Sequence, residues 1–233
     1  MKLVLFLFIQ IFLTSVVFAQ HKDFERIKIS GEWQKVFSRD GFEVFVADVP
    51  NSDFKAFRAR GVVEGNITKY LTLYRNVEDM KDWSPKLIDK YAIAESSDIE
   101  AITYQADDIP WPAQDRDLIL QNKLYLDKKN KMLKVLTYSV KLKNYPPNQR
   151  YIRAEINWGV FSIKPLNPNQ TYIDFMIHAE PKGSLPAWIV NQIQRKWPYK
   201  FLKSSERAAR RTIPKVKPGV MKLYTDLLKL MKK

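Results

Sequence analysis

The sequence contains no cysteine and only seven glycines among its 233 residues. Without cysteine the chain can form neither disulfides nor thiol-based catalytic or metal sites, and it cannot carry a cysteine-linked lipoprotein anchor. No internal repeat is visible, which excludes solenoid and propeller architectures. HExxH, GxSxG and glycine-rich phosphate-binding motifs are also absent from the sequence. We therefore expect neither a metal nor a cofactor, and no catalytic nucleophile is indicated.

The composition that remains is typical of a packed globular protein. Hydrophobic residues make up 45% of the chain and aromatic residues 13%. A chain of this length is long enough for one substantial domain and leaves little room for two. It can also build a core that needs no disulfides.

The first 19 residues have the pattern of a cleaved signal peptide. Met1 and Lys2 form a short positive region, and residues 3–18 are almost wholly apolar. Small or modest residues then precede the predicted cleavage site, which follows Ala19. A membrane anchor is the alternative, but sixteen helical residues are too short for a hydrocarbon core of roughly 30 Å. We expect export, with the mature protein periplasmic or secreted.

The net charge of +14 is concentrated in the last quarter of the chain. Fourteen of the 39 Lys and Arg residues, but only two of the 25 acidic residues, follow residue 180. Such a basic segment is suited to an anionic surface, and export favours a membrane over nucleic acid as that surface. The alternative is a solvated basic helix face that serves only solubility.

Hydrophobic periodicity predicts an α+β fold dominated by antiparallel strands. A helix capped by Asn66 follows the first two strands, and a second short helix ends before Pro85. Apolar positions spaced by four after Gly183 predict a long C-terminal helix, kinked or locally broken at Pro198. The predicted strands are 42–49, 54–63, 87–95, 99–106, 118–127, 131–142, 151–163 and 172–180. This order describes a curved antiparallel sheet wrapped around the long helix, with an internal hydrophobic cavity between them.

Four segments, in this order, resemble the START (steroidogenic acute regulatory-related lipid transfer) domains of the helix-grip superfamily, especially the bacterial exported type. They are WQKV at 33–36 with DGFEVF at 40–45, MKDW at 80–83, WPAQDRD at 111–117, and EPKGSLP at 180–186 continuing to residue 199. The resemblance implies the helix-grip fold. It places a lipid-binding domain at 20–212 and leaves a separate basic tail at 213–233.

The resemblance also implies a function: binding, and possible transfer, of one lipid, sterol or similar hydrophobic molecule. The C-terminal helix and a neighbouring loop would form a lid that opens at a membrane surface. The family includes carriers of phospholipids, sterols and ceramide, so membership does not select a ligand. We expect a monomer that does not bind nucleic acid and is not an enzyme.

Two other functions remain open from the sequence. Related helix-grip proteins include cyclases and hydratases that act on hydrophobic substrates, in which case Glu155 with Tyr138 would supply acid–base chemistry. The second alternative is an envelope interaction module whose basic tail binds a protein partner.

The triplet Asp115, Arg116 and Asp117 has two interpretations. Arg116 would hold a polar group of the ligand, oriented by one of the two carboxylates through charge-assisted hydrogen bonds. Alternatively, the three charges satisfy one another and join two strands. His178 is interpreted as an edge or cavity-lining polar residue, since no orienting acid for catalysis is evident.

Large amphipathic rings and a few polar groups are the candidates to line the cavity, because rings contact hydrocarbon while their polar tips meet a head group. The candidates are Trp83, Tyr104, Trp111, Arg116, Tyr138, Glu155, Trp158, His178, Trp188 and Ile189.

The tail carries an amphipathic pattern of its own. The apolar stripe consists of Val220, Leu223, Tyr224, Leu227, Leu228 and Met231, and the basic residues around it are Lys222, Lys229, Lys232 and Lys233. These lysines are the candidates for contact with an anionic membrane. The same stripe would equally pack against the domain.

Overall fold

The computed structural model of this protein describes residues 27–185 and 187–232, without the side chains of residues 187, 188 and 191–195. The predicted signal peptide and Lys233 lie outside the described residues. Ten strands are described: β1 (Ser30–Arg39), β2 (Phe42–Asp48), β3 (Ala56–Glu64), β4 (Leu87–Ser97), β5 (Glu100–Asp107), β6 (Arg116–Asp127), β7 (Met132–Ser139), β8 (Ile152–Arg153), β9 (Glu155–Asn167) and β10 (Gln170–Glu180). The helices are α1 (Ile67–Arg75), a 3-10 helix (Glu78–Asp82), α2 (Ala187–Arg211) and α3 (Pro218–Met231).

The strands form one sheet in the order β1-β2-β3-β10-β9-β7-β6-β5-β4, and the short β8 pairs with β6 in parallel. All other pairings are antiparallel. The helix α2 packs on β2 and β3, whereas α3 packs on β6 and β7. The sheet thus curves around the helices, as the helix-grip fold requires, and the predicted fold class is confirmed.

The sequence predicted two strands before α1, but the described chain has three. The strand β1 pairs with β2 through a turn at Asp40 and Gly41, whose φ angles are +52° and +77°. An Asp-Gly pair with positive φ at both positions is the preferred two-residue turn of a β-hairpin. The turn was therefore visible in the sequence. The polar, largely exposed residues of β1 concealed the strand itself.

The helix starts follow local rules. The side chain of Asn66 accepts a hydrogen bond from Thr68 N at 3.0 Å, which confirms the predicted N-cap of α1. The helix α2 continues through Pro198, where the sequence predicted a kink or a break. Within the described ranges, no helix is both long and apolar enough to cross a membrane.

The main hydrophobic core lies between the sheet and the three helices. Ile67 and Tyr70 of α1, Leu202 of α2, and Val220 and Leu227 of α3 are all buried in it. Complete burial of an aliphatic side chain contributes about 1.5–3 kcal/mol. Of the two alternatives left open for the apolar stripe of the tail, the structure shows packing against the domain.

Candidate functional site

A cavity of about 270 Å³ lies between the sheet and α2. Along β5, Ala101, Thr103 and Gln105 line it, whereas the intervening Ile102 and Tyr104 do not. This alternation identifies the face of the sheet that faces the cavity. Most of the lining is apolar, including Leu71, Val77, Met80, Leu87, Ile99, Leu120, Leu124, Val135, Ile156, Ile163, Ile177 and Val220. The volume lies near the lower end of the range for small-molecule pockets, about 300–1,000 Å³. A ligand larger than this volume would require part of the cavity wall to move outward.

An aromatic cluster joins α2 to the sheet and forms one wall of the cavity. Trp197 and Phe201 stack with ring centroids 5.2 Å apart, and Phe201 meets Phe175 of β10 edge-on at 5.5 Å. Phe161 of β9 meets Tyr74 of α1 at 4.6 Å. Aromatic pairs of this kind contribute about 0.5–1.5 kcal/mol each beyond the area they bury. The cluster therefore holds α2 on the sheet and lines the cavity with apolar rings.

One polar row crosses the apolar wall, and its members satisfy one another. Asn122 Nδ2 donates to Thr103 Oγ1 at 3.1 Å, and Thr137 Oγ1 donates to Asn122 Oδ1 at 3.0 Å. Because these side chains already have hydrogen-bond partners, an apolar ligand can lie against them without leaving polar groups unpaired.

A second polar group in the cavity carries charge. Lys90 of β4 and Gln105 of β5 are opposite each other in register, and both line the cavity. Gln105 Nε2 donates to both carboxylate oxygens of Asp107, at 3.0 and 2.8 Å. Burial lowers the pKa of Lys90 to about 8, against the attraction of Asp107. Burial also raises the pKa of Asp107 to about 6, so both groups are mainly charged at pH 7.

The other end of β4, at the β4–β5 turn, is covered by the start of α3. Asp98 Oδ2 accepts a hydrogen bond from Gly219 N at 2.7 Å, and the Asp98 carbonyl accepts one from Arg75 Nε at 3.0 Å. Glu95 pairs with Arg75 at 2.8 Å and with Lys217 at 2.7 Å. These two hydrogen bonds lower the pKa of Glu95 to about 2. The tail is thus fastened at its first residues to the wall of the cavity.

Four of the predicted cavity residues lie on the opposite face of the sheet. Tyr104 stacks on Tyr91 there, with centroids 5.0 Å apart, and Tyr138 follows the inward-facing Thr137. Trp158 and His178 pair with each other outside the cavity. The placement of these four side chains differs from the prediction because successive residues of a strand point to opposite faces, so an error of one residue reverses the assigned face.

Next to Trp158, a bulge in β9 interrupts the regular alternation of side chains between the two faces of the sheet. The pairing passes from His178 with Trp158 to Ala179 with Ile156, so Asn157 is an extra residue in β9. Ile156 therefore faces the cavity and Trp158 does not, although regular alternation would place both on one face.

His178 is a buried structural residue. Its Nδ1 accepts a hydrogen bond from Asn157 Nδ2 at 3.1 Å, and its Nε2 donates to the carbonyl of Phe54 at 3.2 Å. The carbonyl partner requires a proton on Nε2, and an Nδ1 that accepts from the Asn157 amide carries none, so these contacts fit the neutral ring. Burial lowers the pKa of His178, although Glu180 opposes the effect. The histidine thereby fixes the loop before β3 to β10.

Arg116 does not face a ligand either. It is 3% exposed, and it donates to three backbone carbonyls, those of Gln114, of Pro181 at 3.1 Å and of Lys182 at 2.8 Å. The guanidinium joins the start of β6 to the segment that leads into α2. The structural interpretation of this residue is the one that the contacts support.

The two acids beside it also have structural partners. Asp117 is fully buried and receives two hydrogen bonds from Arg153, at 2.8 and 2.9 Å. Asp115 Oδ1 accepts a hydrogen bond from Ile109 N at 2.9 Å. The expected mutual pairing within the triplet is therefore replaced by pairing with more distant residues.

The remaining candidates are also not part of the cavity lining. Trp111 is 87% exposed, because its loop projects from the sheet before β6. Glu155 pairs with Lys182 at 3.1 Å on the surface. Trp83 packs behind the wall, against Tyr74 and Phe201, at centroid distances of 5.8 and 5.5 Å.

Two candidates lie in the first turns of α2. Ile189 is buried but does not line the cavity, and the side chain of Trp188 lies outside the described residues. Lys90 and Gln105 were not predicted to line the cavity, since nothing in the local sequence distinguishes an inward-facing lysine from a solvated one. Phe161 and Phe175 were not predicted either, although the alternation along β9 and β10 could have identified them.

The comparisons with known proteins agree with this architecture. A family model described as START domain matches residues 29–213, so α3 lies beyond the match. Uncharacterized protein PA1579 of Pseudomonas aeruginosa is 23% identical over 182 residues, which cover 78% of this chain and 88% of that protein. Human START domain-containing protein 10 is 28% identical over 163 residues, which cover 69% of this chain. The match covers 55% of that human protein, so this chain spans about half its length.

Solved structures share the fold. The crystal structure of human STARD10 matches with a TM-score of 0.69 at 24% identity, covering 88% of this chain and 84% of that chain. The STAR-related lipid transfer protein fragment from Xanthomonas axonopodis matches with a TM-score of 0.68 at 21% identity. That match covers 78% of this chain and all of the fragment.

Proposed function

Because this chain belongs to the START domain family, we propose that it encloses one lipid or similar hydrophobic small molecule in the cavity between the sheet and α2. The observation that carries the proposal is the cavity itself, walled on one side by an aromatic cluster and lined mainly by apolar side chains. Removing apolar area from water contributes about 25 cal/mol per Å², so burial of about 300 Å² of ligand surface would supply roughly 7.5 kcal/mol before the costs of association.

The ligand would reach the cavity by displacement of the helices. Trp197 Nε1 donates to the carbonyl of Pro85 at 3.0 Å, so α2 has a polar attachment next to its cavity-lining rings. The interior Pro198 lacks the backbone donor of a regular helix residue, which weakens the helix at this point. We propose that the part of α2 before Pro198, with the adjoining loop, is the lid.

Contact with an anionic membrane would place the lid next to its lipid source. Lys222 and Lys229 of α3 and Lys232 directly after it are exposed. Of these three, only Lys229 has a carboxylate partner among the described residues, Asp226 at 3.3 Å. Lys233 extends the basic set in the sequence. Exposed lysines near an anionic surface contribute about 1 kcal/mol each.

Charge reversal tests this contact. The test variant replaces four tail residues with Glu: Lys222, Lys229, Lys232 and Lys233. It should no longer sediment with vesicles that contain anionic phospholipid, and its weak binding to uncharged vesicles should equal that of the wild type. The control variant replaces four lysines outside the tail with Glu, which gives the same change in net charge: Lys128, Lys129, Lys131 and Lys143. Equal loss in both variants would show a general charge effect and no specific tail contact.

We further propose that the mature protein starts at Gln20, acts outside the cytoplasm and is a monomeric carrier, not an enzyme. The alternative catalytic pair, Glu155 with Tyr138, has no support from position, because neither side chain lines the cavity. Intact mass of the exported protein tests the cleavage site. Size-exclusion chromatography with light scattering tests the monomer.

Native mass spectrometry of the exported protein, followed by organic extraction, tests the binding function. We expect a stoichiometric hydrophobic adduct that is lost from Val135→Trp, since Val135 lines the cavity and a larger ring would fill it. Ile102→Trp is the matched control, because Ile102 lies on the opposite face of the same sheet. A wild-type protein that carries no adduct and takes up none from mixed lipid vesicles would refute the proposal.

A further inference from the structure

The cavity contains a cation without a counter-ion in contact. Lys90 lines the cavity opposite Gln105. Within residues 27–185 and 187–232, Lys90 Nζ makes no hydrogen bond and has no carboxylate oxygen within 4.0 Å. Lys90 is half-buried, and a charge largely removed from water is normally paired in proteins, because an unpaired charge in an apolar site is strongly unfavourable. An ammonium group in this position therefore has three donors available to a ligand.

The neighbouring carboxylate does not fill this role. Both oxygens of Asp107 accept hydrogen bonds from Gln105 Nε2, which places the amide, not the ammonium, against the carboxylate. Asp107 acts on Lys90 only through its charge over a longer distance. The arrangement leaves the cation free to contact a third group.

The charged groups at the other end of the cavity are already compensated. Arg75 Nη1 donates to Glu95 at 2.8 Å and Arg75 Nε to the carbonyl of Asp98. Its Nη2 has no partner in the described part of the chain, but the charge of the guanidinium is balanced by Glu95. Among the described residues that line the cavity, Lys90 is therefore the cation that remains to be neutralised.

We propose that Lys90, with Gln105 beside it, binds an anionic oxygen-bearing head group, a carboxylate or a phosphate, and that the ligand is an anionic amphiphile. Its apolar body would lie against the rings of Phe161, Phe175 and Phe201, which line the same cavity. The proposal rests on the proposed function, because it names the class of ligand for that cavity. Selection follows from chemistry: a neutral head group leaves the ammonium without a counter-ion, whereas an anion forms a charge-assisted hydrogen bond with it.

The test compares ligands that differ only in the head group. Delipidated wild-type protein, Lys90→Met and Lys90→Arg are titrated at pH 7 with oleate and with oleyl alcohol, and dissociation constants are measured by displacement of a fluorescent fatty-chain probe. Lys129→Met is the matched control for loss of one positive charge, because Lys129 is exposed in the β6–β7 turn. Circular dichroism establishes that each variant is folded.

We expect the wild type to prefer oleate, and Lys90→Met to bind oleate about tenfold to a hundredfold more weakly, as the loss of one hydrogen bond between charged groups implies. Binding of oleyl alcohol should be unchanged or stronger in Lys90→Met. Lys90→Arg should keep the preference for oleate, as should Lys129→Met. Oleoyl lysophosphatidate in a parallel titration separates the two sources: tighter binding than oleate identifies phosphate, and weaker binding identifies carboxylate.

Equal affinity of the wild type for oleate and oleyl alcohol, or no weakening of oleate binding in Lys90→Met, would overturn the head-group assignment and leave the carrier function intact. Failure of the wild type to bind any of the three probes or the lipids of mixed vesicles would overturn the proposed function as well.

Discussion

Replacing Lys90 with Met should stabilise the protein, and by an amount that depends on pH. The substitution removes a charge from an apolar cavity and keeps an unbranched side chain of similar length. Burial lowers the pKa of Lys90 from 10.5 to about 8. A fall of that size corresponds to about 3 kcal/mol of destabilisation by the charged form, taken as an upper bound.

The direction with pH follows from the proton balance. Between pH 8 and 10.5 the unfolded chain keeps the proton on Lys90 whereas the folded protein has released it, so this group makes wild-type stability rise with pH. The advantage of Lys90→Met should therefore be largest below pH 8 and shrink by about 3 kcal/mol by pH 10.5. Asp107, the acid whose charge acts on Lys90, has a pKa of about 6 and is ionised throughout this range. Among the described residues, Arg75, Asp98 and Glu100 are the other charged side chains that line the cavity.

Urea unfolding followed by circular dichroism at half-unit intervals from pH 7 to 10.5 measures the effect. Comparing the two proteins at each pH cancels the titration of the other lysines and of the tyrosines. Lys129→Met supplies the control for a solvated lysine and should show no pH-dependent difference from the wild type. A stability difference for Lys90→Met that stays constant within about 0.5 kcal/mol across the range would show that the ammonium is solvated in the folded protein and would refute the prediction.

Three other outcomes follow from the contacts. Arg116→Met should lower the free energy of unfolding by roughly 2–5 kcal/mol, because it leaves buried carbonyls without a donor. The ligand affinity of the folded variant should equal that of the wild type. Loss of affinity without loss of stability would instead support the interpretation that Arg116 holds the ligand. For His178 the lowered pKa means that the unfolded chain binds a proton first as pH falls below 6.5, so wild-type stability should decrease there. His178→Gln should show a shallower decrease in urea unfolding from pH 7 to 5, and parallel curves would contradict the buried neutral ring. Asp98→Ala removes the acceptor of Gly219 N and should lower the free energy of unfolding by about 1 kcal/mol. Relative to the wild type, amide hydrogen exchange should become faster in α3 but not in α2. Unchanged exchange in α3 would show that apolar packing alone holds the tail.

The fold was largely predictable because its signals are local and periodic. The Asn66 cap, the strand pattern and the four-residue spacing in α2 each depend on residues close in sequence, and the structure has these elements near the predicted positions. The Asp40-Gly41 turn was equally local. It was missed because the exposed strand β1 lacks the apolar alternation that marks strands with a buried face.

The site was poorly predictable because it depends on parity and on distant contacts. None of the described candidates lines the cavity, although several lie within one residue of a side chain that does, as Tyr104 lies between Thr103 and Gln105. Because side chains alternate between the two faces of a strand, an error of one residue assigns every side chain of that strand to the wrong face. The bulge at Asn157 shifts the alternation by one residue, and no local sequence pattern indicates it. Trp111 is a different case, since its large apolar ring predicts burial, but the loop that carries it leaves the ring in solvent.

By itself the sequence determined the fold class, the family resemblance, the predicted export signal and the basic, amphipathic tail. Each of these depends on composition or on patterns among residues that are close in sequence. Only the tertiary structure decided that Arg116 bonds to backbone, that α3 packs on the domain and that Lys90 faces the cavity. Those outcomes depend on which partners the curved sheet brings together from more than sixty residues away, as it brings Arg116 to Pro181 and Lys182. A side chain acts as a ligand group or as a structural group according to those partners, and its own identity does not settle which.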